Sequence, residues 1–301
     1  MKLIKRTEIK NSNIVYNLHI NNNNNYIAND IVVSNCHSAK AHEIKKILNL
    51  CTNADYRLGF TGTMPLPPLD IWNVKSYLGP IIREYGAGQL GKEGYISKAN
   101  IIIVDIKYQN DYKGTYNEVK DEIFKNPFRL KVLKEIIRST KGNILLLVGK
   151  VEKEGTLLKE YLETQVDFHD TLKKDIVFLH GSTKVQEREY WRKECEKRKN
   201  IVLIATYGIF QQGINIPSLK YIVLASPYKS KIRVLQSIGR GLRNHKSKKD
   251  GAYIYDIFDD CKYLYDHGVK RERHYNSEGF ELTDIVLQEG DEISGNFSFA
   301  K

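Results

Sequence analysis

Six continuous apolar runs recur along the chain: NIIIVDI at 100–106, NILLLVG at 143–149, DIVFLHG at 175–181, NIVLIAT at 200–206, YIVLASP at 221–227 and AYIYDIF at 252–258. A strand that is apolar at nearly every position has no face to offer to water, so it must be covered on both sides. Segments of helix length separate these runs, at about 115–139 (a helical pair), 151–163, 183–198 and 231–243. Strands alternating with helices close as a parallel sheet wound with helices on both faces, so the expected fold class is α/β. In such a sheet ligands bind beyond the carboxyl ends of the strands. Polar residues follow the runs here: Lys150, His180-Gly181 and Thr206, then Gly213 and Asn215, and on the last helix Gln236, Gly239, Arg240 and Arg243. Arg240 and Arg243 are three apart and so project from one helix face.

The length of 301 residues is enough for about two domains of ordinary size. With 41% hydrophobic and 28% charged residues the composition is that of a globular protein. No apolar run approaches the roughly 20 residues of a membrane helix. The start, MKLIKRTEIKNSN, is basic but has no apolar core of a secretory signal, so the expected location is cytoplasmic. Cys36, Cys51, Cys195 and Cys261 show no CxxC spacing, which argues for reduced thiols over a zinc site or a disulfide framework. A net charge of +11 attracts polyanions where the basic residues cluster, and by itself fits solubility equally well.

The first 35 residues have another character. IVYNLHI at 14–20 and YIANDIVV at 26–33 are β-rich runs separated by Asn21 to Asn25, a polar stretch that turns the chain, so a hairpin is expected. Two strands alone are marginal in water and need a partner sheet. The series V-Y-x-L-x-I, N-Y-I-A-N and I-V-V-S-N-C, covering roughly residues 13 to 36, resembles the terminal blocks of inteins. A piece of this length with Lys2, Lys5, Arg6 and Lys10 is similar to the C-terminal piece of a split intein, whose basic charge attracts an acidic N-terminal piece. The residue types at the junction suit that chemistry: the Cys36 thiolate attacks an upstream thioester, and the Asn35 side-chain amide closes on its own carbonyl as a succinimide. Asn17 and Asn24 stand where the intein blocks carry an aspartate and a histidine, and an amide is no general base.

After the junction, CHSAKAHEIKKILNL reads as a helix and YRLGF as a strand, followed by Thr61-Gly62-Thr63. Cys36-His37 resembles the end of the D-E-C-H box of superfamily 2 helicases, with Thr61-Gly62-Thr63 in the place of their third motif. ATYGIFQQGINIP, ASPYKS and LQSIGRGLR complete a resemblance, over about residues 36 to 285, to UvsW-type phage recombination and fork-remodelling helicases. That resemblance implies a RecA-like C-terminal lobe, ATP and Mg2+ as cofactors, and DNA, single-stranded or branched, as partner. It assigns Gly213, Asn215, Arg240 and Arg243 to the nucleotide, with Arg243 as finger and Gln236 coupling it. His37, Thr61, Gly62 and Thr63 fall to coupling, and Lys150, His180, Gly181 and Thr206 to the nucleic-acid backbone. Asn215 stands where the family often has an acid.

The 301 residues contain no GxxxxGK[ST] phosphate loop, and the acid pair of the D-E-C-H box would end a preceding polypeptide. No metal ligand is therefore expected in this chain, and ATP and Mg2+ would be bound mainly through an N-terminal half. The resulting organisation is a split-intein segment at 1–35, the end of a first helicase lobe and linker at 36–90, a second lobe at 91–285 and a loose tail at 286–301. Pro65, Pro67 and Pro68 mark the exit from the first lobe. Two alternatives stay open beside trans-splicing to the partner half: an unspliced lobe acting noncovalently, and a fragment of an incomplete gene. The turn Lys246-Ser247-Lys248-Lys249 either meets phosphates or is simply solvated.

Overall fold

The computed structural model describes residues 26–28, 31–35, 42–50, 56–60, 67–165, 173–212, 216–227, 238–239, 242–293 and 297. They belong to two compact units, Met1–Ile82 and Arg83–Lys301.

In the first unit the run expected as one strand from Tyr26 to Val33 is broken. β1 (Tyr26–Ala28) and β2 (Ile31–Asn35) pair antiparallel, with Tyr26 opposite Val33. The two residues between them, Asn29 and Asp30, are types that favour a two-residue reversal, and they outweigh the apolar flanks. The other expected strand, 14–20, lies outside the described residues. β2 runs parallel to β3 (Tyr56–Phe60), Ile31 opposite Tyr56 and Asn35 opposite Phe60. The crossover between them contains α1 (His42–Leu50), on which Leu48 is buried. Next comes α2 (Pro68–Leu78), with Pro67 as its cap and Pro68 in its first turn. The prolines thus open a helix inside this unit, where the fixed proline φ suits the first turn. Lys45 of α1 donates to Asn73 of α2 at 3.0 Å.

The second unit begins with the short helix α3 (Ala87–Lys92) and then follows the alternation read from the sequence. Its first elements are β4 (Ala99–Lys107), α4 (Tyr116–Ile123), α5 (Pro127–Ser139), β5 (Ile144–Val148), a π-helical turn (Val151–Thr156) and α6 (Leu157–Glu163). β6 (Asp175–Leu179), α7 (Val185–Lys197), β7 (Ile201–Thr206), α8 (Tyr207–Gln212) and β8 (Tyr221–Leu224) follow. The described chain continues through β9 (Ala252–Asp259), α9 (Lys262–Ser277) and β10 (Glu281–Gln288). The seven strands form one parallel sheet in the order β10-β4-β9-β8-β5-β7-β6.

The continuous apolar runs are explained by two cores. Leu145, Leu147, Leu203, Ala205, Ile222 and Leu224 face one, with Phe210 of α8, Cys195 of α7 and Tyr275 of α9. Ile144, Leu146, Val148, Val202, Ile204 and Val223 face the other, with Val132, Leu133, Ile136 and Ile137 of α5 and Leu158 and Leu162 of α6. Alternate residues point to opposite faces, and because both faces are covered neither set can be polar.

The chain end departs from expectation. β10 runs through Gln288, beyond residue 285, and pairs with β4 along its whole length. Ile293 and Phe297 are buried in the second core, and the Phe297 ring meets Tyr255 edge-on at 6.4 Å. Burial of these two apolar side chains is what the polar composition of the chain end had hidden. No helix among the described residues is long and apolar enough to cross a membrane.

Candidate functional site

The parallel sheet gathers one group of the expected residues. β7 lies between β5 and β6, with Val148 opposite Thr206 and Leu179 opposite Ala205. Lys150, His180-Gly181 and Thr206 therefore follow or close three neighbouring strands at the same, carboxyl end of the sheet. Four residues scattered over some 56 positions of sequence become one row.

Each member of the row is held locally. The His180 backbone N–H donates to Thr183 Oγ1 at 3.0 Å, and the Thr183 N–H returns to the His180 carbonyl at 2.9 Å, which fixes a tight turn with Gly181 at its exposed tip. His180 Nδ1 is 2.9 Å from Ser182 Oγ, and its ring lies 5.0 Å from Phe178. Thr206 is buried at the strand end, and the hydroxyl of the next residue, Tyr207, donates to the Ser226 carbonyl at 3.2 Å. Lys150 is partly exposed and pairs with Asp121 of α4 at 2.9 Å. Lys153 pairs with the same carboxylate. Burial would raise the Asp121 carboxyl, but the hydrogen bonds from Lys153 and Lys150 outweigh it and hold the group below its ordinary value.

Beneath the row is a support that the sequence did not reveal. Lys120 of α4 and Glu154 of the π-helical turn form a buried ion pair at 2.6 Å, and the other Glu154 oxygen accepts from the Gly149 N–H at 2.6 Å. The strand exit of β5 is thus clamped one residue before Lys150. A buried pair of this kind fixes a geometry more surely than it adds stability. π-helical turns are uncommon and concentrate at functional sites. This one depends on Gly155, where an added Cβ would lie 2.1 Å from the Phe178 ring. Gly155→Ala is expected to cost about 1–3 kcal/mol in urea unfolding, as overpacking does, with most of it recovered in Gly155→Ala/Phe178→Leu. A neutral Gly155→Ala would show that the ring is not held there. The local signal was only a glycine in a helical stretch, since Lys120 and Glu154 are far apart in sequence.

The second expected group is divided. Gly213, Asn215, Gln236 and Arg240 lie outside the described residues, as do Cys36, His37, Thr61, Gly62 and Thr63, and Asn35 is described as the last residue of β2. Ile238 and Gly239 are helical, and the Leu242 N–H donates to the Ile238 carbonyl at 3.0 Å. Arg243 is exposed, and its carbonyl accepts from Ser97 Oγ at 3.3 Å and from Lys248 Nζ at 3.1 Å. Ser97 precedes β4, so Arg243 sits at the amino end of the sheet. It is therefore at the opposite end from Lys150, His180 and Thr206. The rule that ligands bind beyond the carboxyl ends of strands thus does not extend to Arg243, whose backbone lies beside the segment that leads into β4.

Among the described residues no group of three or more His, Cys, Asp or Glu could hold a metal ion. Cys195 and Cys261 are buried free thiols, each pushed up to about 12, mainly by burial, and neither is poised as a nucleophile. Trp191 packs partly buried against the first core, while Tyr190 is exposed.

Comparison with known proteins places these features. Residues 129–245 match the helicase conserved C-terminal domain family. The chain is 23% identical over 266 residues to the ATP-dependent DNA helicase uvsW of Enterobacteria phage T4, covering 81% of this chain and 52% of that protein. Among solved structures, T4 UvsW covers 85% of this chain at 24% identity with a TM-score of 0.53, matching 53% of that chain. A fragment of a putative HsdR subunit of a type I restriction enzyme from Vibrio vulnificus YJ016 covers 86% at 16% identity with a TM-score of 0.62, matching 48% of that chain. The chain spans about half the length of the curated phage relative it matches. Residues 129–245 are thus similar to a helicase C-terminal domain, the parallel sheet shares the fold of these solved structures, and the row of strand ends falls within the matched residues.

Proposed function

We propose that a chain with a helicase C-terminal domain at residues 129–245 serves as the C-terminal half of an ATP-dependent DNA helicase or translocase of the recombination or fork- and R-loop-remodelling type, working in the cytoplasm of a bacterial or phage-infected cell. Its N-terminal half is joined by intein trans-splicing at the Asn35–Cys36 bond. The observation that carries the motor reading is the row of Lys150, His180-Gly181 and Thr206 on three adjacent strand ends. A hydroxyl, an imidazole, an open glycine backbone and an ammonium side by side suit the sugar-phosphate backbone of a strand, gripped without reading its bases.

ATP and Mg2+ are the cofactors of this reading. The N-terminal half would hold the ion together with the phosphates, since the phosphate loop and acid pair are not in these 301 residues. Gly213, Asn215 and Arg240 would line the nucleotide from this lobe. Arg243 would neutralise charge developing on the γ-phosphoryl group, with Gln236 coupling it. His37 and Thr61-Gly62-Thr63 would couple nucleotide state to strand movement.

Placement supports the junction as well. β2 ends at Asn35, opposite Phe60, one residue before Thr61. The segment before Cys36 thus runs in the sheet where a motor's own acid-bearing strand would run, and ligation would replace it with the end of the partner. The same pairing favours a second reading, in which the unspliced lobe binds nucleic acid or docks on its partner noncovalently, because β3 already has a neighbour.

Thr206→Val keeps the shape of a buried side chain and removes its hydroxyl. It is expected to weaken binding of the whole chain to a single-stranded oligonucleotide by roughly 5–10-fold, the worth of one ordinary hydrogen bond. Fluorescence anisotropy measures this, with circular dichroism unchanged. Equal affinity in the two proteins would remove the row from the nucleic-acid interface.

A further inference from the structure

A basic cleft at the amino end of the sheet has no part in the roles above. It has a volume of about 550 Å³ and is lined by Lys98, Lys246, Lys248 and Lys249, with His245 and Asn244, and among the described residues no carboxylate lines it. Its walls are built. Asn244 Nδ2 donates to the carbonyls of Gly94 and Tyr95, both at 3.1 Å, which joins the loop after Arg243 to the segment before β4. Lys246–Lys248 is a turn of 3-10 helix, tied by the Lys248 N–H to the His245 carbonyl at 2.9 Å and by Ser247 Oγ to the Ser218 carbonyl at 3.1 Å. Lys248 is buried, and its ammonium donates to the Arg243 carbonyl at 3.1 Å. Burial brings it down to about 8, Glu196 opposing and Arg243 adding to the shift.

Carboxylates stand at the margin: Glu281 holds Lys98 at 2.8 Å, Glu196 stands 3.9 Å from His245, and Asp250, next to Lys249, pairs with Lys220 at 3.5 Å. Lys246 and Lys249 are exposed on either side of the buried Lys248. A solvated lysine turn would need neither a fixed backbone nor a cleft.

We propose that this cleft is a second phosphate-binding site, one that takes adjacent phosphate groups between Lys248 and the exposed Lys246 and Lys249, with Lys98 at its rim. Two sources offer that chemistry, a nucleic-acid backbone and the phosphate chain of a free nucleotide. The site is separate from the row at the carboxyl end and does not depend on it.

The test uses the full 301-residue chain. Lys246→Glu/Lys249→Glu is compared with Lys193→Glu/Lys197→Glu on the exposed face of α7, which makes the same change in net charge. Binding of a single-stranded oligonucleotide is expected to weaken at least roughly fivefold more in the first variant than in the second, with the salt dependence of log K reduced by about 1.4 for two lost contacts. Lysine acylation read by mass spectrometry separates the sources. Protection of Lys246 and Lys249 by the oligonucleotide assigns the site to a nucleic-acid backbone; protection by pyrophosphate alone assigns it to a free nucleotide, and then the oligonucleotide titrations of the two variants should agree. Protection by neither, or equal weakening in both variants together with no protection, overturns the proposal. Thr206→Val in the same titration keeps the two sites apart, since its failure to weaken binding bears only on the row.

Discussion

Mixing this chain with an N-intein fused to the front half of a helicase is expected to give a ligated product lacking residues 1–35, and Asn35→Ala is expected to reduce that product at least roughly a hundredfold. The partner's acyl group passes from its thioester to the Cys36 sulfur and releases the N-intein thiol. The Asn35 side-chain nitrogen then attacks its own carbonyl carbon, closing a succinimide and expelling the Cys36 amine, which takes the acyl group from sulfur as an amide. Alanine at 35 has no nitrogen to close the ring, so Asn35→Ala should stop at a branched species with the mass of the acyl-bearing half added to the whole chain. Cys36→Ala has no thiol to accept the acyl group, so it should leave the halves separate. Mass spectrometry distinguishes these species directly. Because Asn17 and Asn24 stand where the resemblance to inteins puts an acid and an imidazole, splicing under this reading should be slow. Asn24→His should speed it by roughly a hundredfold if a general acid or base is what it lacks. A bound partner that yields neither ligation nor branched species would sink the splicing reading and leave the noncovalent lobe.

The parts of this molecule that were legible in its sequence are those whose physics is local or repeated. The run Ile144 to Val148 is apolar at every position because both of its faces are covered, and that requirement is visible in five letters. The row at Lys150, His180 and Thr206 was legible for a related reason: a parallel sheet puts all its strand exits at one end, so residues just after strands must collect there. What sequence periodicity could not supply was the end of the sheet at which Arg243 lies, beside Ser97 and opposite the row. The hairpin of β1 and β2 hides in an apolar run that only two polar residues interrupt. Ile293 and Phe297 were hidden by their polar neighbours. The Lys120–Glu154 clamp left no local trace, for its partners meet only through tertiary packing.

A second non-local ion pair is expected to matter most for stability. Arg129, near the start of α5, and Asp259, at the end of β9, are both fully buried. Arg129 Nε donates to Asp259 Oδ1 at 2.8 Å and Nη2 to Oδ2 at 3.3 Å, while Nη2 also reaches the Ala225 carbonyl at 2.5 Å. The Tyr108 hydroxyl donates to the same Asp259 Oδ1 at 2.7 Å. Burial works against the Arg129 charge, but the Asp259 charge beside it outweighs this and raises the guanidinium above its ordinary value. Asp259→Ala would therefore strand a buried cation and a buried phenol at once, and should cost about 3–5 kcal/mol in urea unfolding at neutral pH. The double change Arg129→Met/Asp259→Leu removes the cation as well as its partner, so most of that loss should return, because a buried pair roughly breaks even against apolar side chains of similar volume. If the double variant were as unstable as Asp259→Ala, the cost would lie in lost packing around Tyr108 and Phe124, whose ring is 4.2 Å from the Arg129 guanidinium. If Asp259→Ala itself cost less than about 1 kcal/mol, water would have to reach Arg129 in the variant, and the junction of α5, β8 and β9 would be looser than its geometry implies.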